Sequence, residues 1–206
     1  RALGMDFGIW VEPEMVNPDS ELYRQHPDWV LATEGYPRAL GRNQLLIDLT
    51  NPGAYAHILT SLDRLLTEHD ITFVKWDMNR PLIHATSADG AAGAHRQTVA
   101  FYRLVDELRA SHPHVEFESC ASGGGRIDHG VLQRMQRVWT SDCIDPLERQ
   151  RIQRGVGMWV PNERHKPPVR PDQCERYSCS MLQCEVLVAH CNDWTMHLHK
   201  SSKQGQ

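Results

Sequence analysis

Two aspartates end strand-like runs in this chain, Phe73-Val-Lys-Trp-Asp77 and Val138-Trp-Thr-Ser-Asp142. Carboxylates delivered from separate strand ends suit glycoside hydrolysis, one as nucleophile and one as acid/base. A retaining pair needs its carboxyl groups about 5–5.5 Å apart, and an inverting pair sits wider to admit water. Asp77 must be ionised to attack, and Lys75 two residues away favours that charge. Asp142 must hold a proton when free, which partial desolvation after Val138-Trp139 would promote. Glu12 and Glu14 form a second carboxylate pair. Their i, i+2 spacing straddles Pro13 and gives no reason for an acid and nucleophile division. Trp10 and Trp76 offer apolar walls to the C–H face of a sugar, with core packing as the alternative for Trp10. Lys75 brings three donors suited to hydroxyls. Gly123-Gly124-Gly125 allows backbone amides close to a ligand without Cβ hindrance, or a flexible turn. It lacks the Gly-Lys-Ser/Thr of a phosphate loop.

The elements that would position these groups repeat as strand, loop and helix from Gly4 to about Gly157. Met5 to Val11 is a strand candidate stopped at Glu12-Pro13-Glu14, and a polar loop holding the apolar run Leu45 to Leu49 follows. Asn51-Pro52 starts a helix, with Ala54, Ile58, Leu62, Leu65 and Leu66 on one face. Ile71 to Trp76 is the next strand. A helix near His95 to Ala110 carries an apolar stripe of Val99, Tyr102, Val105 and Leu108. Val115 to Ser119 alternates as a strand, and Val138-Trp139 opens another. Asp145-Pro146 with Glu148 reads as a capped helix start. Strands alternating with amphipathic helices imply an α/β fold with parallel strands. Both a (β/α)8 TIM barrel and an open doubly wound sheet place sites at the strand ends. Polar candidates at four consecutive ends (Glu12, Asp77, Cys120, Asp142) favour part of a barrel.

The 206 residues carry a net charge of -4 with both signs interspersed, which argues against a nucleic-acid partner. No run reaches membrane-span length. The first residue is Arg1, so the true start is expected upstream. Six cysteines, two of them isolated mid-chain, read as a reduced intracellular protein.

Phe7-Gly-Ile-Trp-Val-Glu-Pro-Glu-Met15, Lys75-Trp-Asp-Met-Asn-Arg80, Cys120-Ala-Ser-Gly-Gly-Gly-Arg126 and Trp139-Thr-Ser-Asp142, in this order and spacing, resemble the melibiase-type α-galactosidases of glycoside hydrolase family 36. The resemblance covers roughly residues 1 to 160, the middle of that family's catalytic barrel. It implies Asp77 as nucleophile and Asp142 as acid/base in a retaining hydrolysis of terminal α-linked galactose. It also implies a sugar site drawn from Trp10, Glu12, Arg42, Lys75, Trp76, Asn79, Cys120, Gly123 and Gly124. In the family, the cysteine and adjacent glycine backbone contact the hydroxyl next to the anomeric carbon. Asp48 and Arg126 read as structural or supporting residues. No cofactor or metal is implied, and relatives are often cytoplasmic homo-oligomers. A related α-N-acetylgalactosaminidase and an inactive or sugar-binding fragment are the alternatives. From about residue 161 to 206 the family pattern gives way to a Cys- and His-rich tail, read as divergent or as a shifted reading frame. There Cys174, Cys179, Cys184, His190 and Cys191 permit a zinc reading without any knuckle spacing.

Overall fold

A computed structural model describes residues 6–83, 85–86, 90, 92–161 and 164. The Cys- and His-rich tail and its zinc candidates lie outside these described residues. The described chain is mixed α/β. Strands β1 (Gly8–Val11) and β2 (Met15–Val16) are followed by helix α1 (Glu21–Gln25), strand β3 (Leu45–Leu46) and helix α2 (Pro52–Glu68). Then come β4 (Phe73–Trp76), α3 (Ala94–Ser111), β5 (Glu116–Ser119), α4 (His129–Arg134), β6 (Arg137–Val138) and α5 (Pro146–Val156). The main sheet is parallel with order β1-β4-β5-β6, so each successive strand adds on the same side and no reversal occurs. β2 and β3 pair antiparallel in a small separate sheet. It belongs to the long excursion between β1 and α2.

Local chemistry explains the boundaries. Asn51 caps α2 by accepting from Gly53 and Ala54 amides, and Pro52 occupies the first turn, where a missing N–H costs nothing. Asp145 caps α5 in the same way through Leu147 and Glu148. Asp128 caps α4, a short helix that the apolar periodicity does not announce. α2 buries Ala54, Ile58, Leu62 and Leu66 as its spacing predicts, with Tyr55 beside them and Leu65 only partly buried at the edge of the face. α3 differs: its buried stripe is Gln97, Ala100, Phe101, Leu104, Val105 and Leu108, while Val99 is exposed. The stripe is rotated because Gln97 is drawn inward, where its amide donates to Ile47 O and accepts from Leu49 N at 2.9 Å each.

Ile9, Val11, Val74, Trp76 and Phe117 face the helices, joining Ile58, Leu62, Leu104 and Leu108 in one apolar cluster. Alternation then directs Trp10, Lys75, Glu118 and Arg137, paired in register across the sheet, to the opposite face. This single parity decides which side chains reach the site.

Candidate active site

Four parallel strands deliver their following residues to one edge. Asp77 N donates to Val11 O at 2.9 Å, Cys120 N to Trp76 O at 2.8 Å, and Met78 N to Cys120 O at 3.2 Å. Glu12, Asp77 and Cys120 therefore sit side by side as the ladder runs out. Trp139 N donates to Ser119 O at 2.8 Å and brings the Thr140–Asp142 segment to the same edge.

Asp77 is 6% exposed and densely held. Trp10 Nε1 donates to Oδ2 at 3.0 Å and Met78 N to Oδ1 at 2.9 Å. Burial pushes this carboxyl's pKa up, but donation from Asn79, Cys120, Trp10 and the Met78 amide outweighs it, so the net shift is below the ordinary aspartate range. The Cys120 thiol is pushed up to about 12, first by burial and then by the Asp77 charge. It stays protonated as a donor. Lys75, expected from its spacing to support the Asp77 charge, instead turns to Glu118 Oε1 at 3.5 Å and lies 3.9 Å from the centroid of the Trp139 ring. Hydrogen bonds, not that ammonium, keep Asp77 ionised.

Trp139 also reaches the second aspartate: its Nε1 donates to Asp142 Oδ1 at 2.8 Å. Arg149 covers the same indole at 4.8 Å from the centroid. Gly123, at φ +84, packs where an added Cβ would lie 3.0 Å from Asp142 N. A Cβ at Gly124 would lie 2.5 Å from Thr140 O. These glycines let the 121–125 loop close on the segment carrying Asp142, a backbone requirement distinct from approach to a ligand.

Glu12 Oε1 accepts from the Asn79 amide and from Arg42 Nη1, the latter at 3.3 Å. Asn79 Oδ1 in turn accepts from Ser122 N and Oγ at 3.2 Å each. Trp10, Glu12, Arg42, Asn79, Asp77 and Cys120 are thus linked, with Lys75 and Asp142 joined through Trp139.

Trp76 is the exception. It is 0% exposed, packs edge-on against Phe101 with centroids 5.5 Å apart, and donates to Glu14 Oε1 at 2.8 Å. One position along the strand from Lys75, it faces the helices rather than the sheet face that carries Lys75 and Trp10. Glu14 is buried and paired with Arg126 at 2.6 Å. Asp48 accepts from Thr50 N at 2.9 Å in a turn. Sequence reasoning passed over Trp139, Glu118 and Ser122 as site members. Strand parity was the available signal for Glu118, two residues before Cys120.

Among the described residues, no group of three or more His, Cys, Asp or Glu is arranged to hold a metal, and no helix is long and apolar enough to cross a membrane.

A family model described as Melibiase matches residues 1–201, past the point where the motif resemblance ends. The chain is 55% identical over 163 residues to an α-galactosidase of Escherichia coli, covering 79% of this chain and 23% of that protein. It is 45% identical over 167 residues to α-galactosidase AgaA of Geobacillus stearothermophilus, covering 77% and 22%. Crystal structures of AgaA variants in complex with stachyose and with raffinose superpose with a TM-score of 0.72 at 45% identity, over 75% of this chain and 22% of theirs. The chain therefore spans under a quarter of the length of these relatives.

Proposed function

Because the chain belongs to the melibiase family of glycoside hydrolase family 36, we propose that residues 1–160 form part of a (β/α)8 barrel carrying a retaining α-galactosidase site. The one-directional strand order supports the barrel, since an open doubly wound sheet reverses at a switch point. The stachyose and raffinose complexes of AgaA support terminal α-galactosyl units as the substrate class. A cytoplasmic location and homo-oligomerisation belong to the same reading.

Asp77 attacks the anomeric carbon while Asp142 protonates the glycosidic oxygen, and the aglycone leaves with that proton. Water then adds to the galactosyl–Asp77 ester as Asp142 removes its proton, with net retention. Trp10, Arg42, Lys75, Asn79, Cys120 and the Gly123 backbone meet the sugar. The observation that carries this reading is Asp77 itself: a buried carboxylate kept ionised by converging donors, on the same strand-end edge as Asp142.

The test is nitrophenol release from p-nitrophenyl α-D-galactoside, with Asp77→Asn and Asp142→Asn. Activity in the parent chain that falls by more than about 10³-fold in Asp77→Asn supports it. Undiminished activity in that variant refutes the assignment.

A further inference from the structure

Arg80 follows the Asp77-Met78-Asn79 segment and is 5% exposed. A guanidinium that deep needs partners, and burial lowers its pKa. Its described hydrogen-bond acceptors are all backbone carbonyls. Nη1 donates to Gln44 O, Nη2 to Ala39 O at 3.0 Å, and Nε to Pro81 O at 3.5 Å. Two of these carbonyls flank a tight turn. Gly41 N donates to Gln44 O at 3.1 Å and Gln44 N to Gly41 O at 2.9 Å. Arg42 and Asn43 between them take φ values of 52° and 61°.

Two consecutive positive φ values define a type I′ turn, which favours Asn or Gly at both central positions. An arginine there is strained and persists only if its surroundings compel it. Arg80 packs against this turn. A Cβ on Gly41 would come within 3.1 Å of Arg80 Cβ, so the turn sits directly on that side chain. The turn's tip is the one part left open: the Arg42 side chain is 55% exposed and touches Glu12 at the end of β1.

We infer that Arg80 is a positioning residue, whose buried guanidinium fork grips the carbonyls of Ala39 and Gln44 and so presents Arg42 to the sugar at the strand ends. The segment after β4 then performs three tasks in sequence: Asp77 attacks, Asn79 ties Glu12 to Ser122, and Arg80 sets the turn. The sugar contact rests on the galactoside reading; the grip on the turn does not.

The experiment has two arms, in Arg80→Met and in Arg80→Lys, which keeps charge but loses the fork. Tryptic cleavage after Arg42 reports turn opening directly. It should accelerate at least about tenfold in both variants, with cleavage after Arg109 in α3 unchanged. An unchanged rate after Arg42 in Arg80→Lys, the variant better placed to stay folded, overturns the inference. The second arm titrates galactose against the parent, Arg80→Met, Arg42→Ala and the double variant. Arg80→Met should weaken binding about tenfold in the parent background and cost nothing further once Arg42 is alanine. Equal costs in both backgrounds would mean general destabilisation and sink the positioning role. If Arg42→Ala alone leaves galactose affinity intact, the sugar reading fails instead, and the tryptic arm still decides whether Arg80 holds the turn.

Discussion

At the scale of single residues, the site depends on a contest at Asp77 between burial, which favours the protonated acid, and donors that favour the carboxylate. The donors win, so removing one should shift the balance visibly. Trp10→Phe keeps an aromatic side chain but loses the indole N–H and with it the 3.0 Å bond to Oδ2. A nucleophilic carboxylate loses activity as pH falls through its pKa, and with one donor gone that pKa rises. The acid limb of kcat/KM on p-nitrophenyl α-D-galactoside should therefore move to higher pH in Trp10→Phe. An unmoved limb would show that Trp10 contributes packing alone. Trp76 shows why residue type misleads without parity. Adjacent positions on one strand, such as Lys75 and Trp76, cannot both face one site, because successive side chains point to opposite faces. Lys75 and Asp77 share a face, so Trp76 was bound to face the helices with Val74.

At the scale of elements, the parallel strands β1, β4, β5 and β6 and the caps of α2 and α5 were legible, because Asn51-Pro52, Asp145-Pro146 and the apolar runs are local signals, whereas the antiparallel pair β2 and β3 depends on how the long loop folds back. The α3 stripe was not, since a buried glutamine serving two backbone groups of the 47–49 loop is a tertiary fact. Nor was the purpose of the glycine run. Its flexibility could be read, but its close contact with Thr140 and Asp142 depends on how two loops meet. That contact yields a prediction. Gly124→Ala must displace Thr140 O from 2.5 Å and should cost about 1–3 kcal/mol in urea unfolding, with lower turnover as the Asp142 segment shifts. Gly155→Ala is the contrast. Its Cβ would meet nothing within 4 Å, and within α5 it should stabilise by about 0.5–1 kcal/mol. Equal effects at the two positions would remove the steric account.

At the scale of the whole molecule, the buried groups of the site leave a signature on stability as a function of pH. An ordinary cysteine thiol titrates near 9.0, and the fold pushes Cys120 up to about 12. Between those values the unfolded chain has lost its thiol proton while the folded chain keeps it, so stability falls as pH rises from about 9. Tyr102 acts in the same direction one step later. Burial and its bond to Asp128 raise it from 10.0 to about 12. Asp77 has the opposite sign: its depressed pKa adds stability above 3.8 that is lost as pH falls through the folded value. Urea unfolding followed from about pH 7 to 11 should therefore show stability declining steadily above about pH 9. Cys120→Ala should flatten the slope that begins near 9, and Tyr102→Phe only the portion above 10. If Cys120→Ala leaves the slope unchanged, the thiol is not the protonated donor facing Asp77. The preorganisation of the carboxylate would then rest on Trp10, Asn79 and the Met78 amide alone.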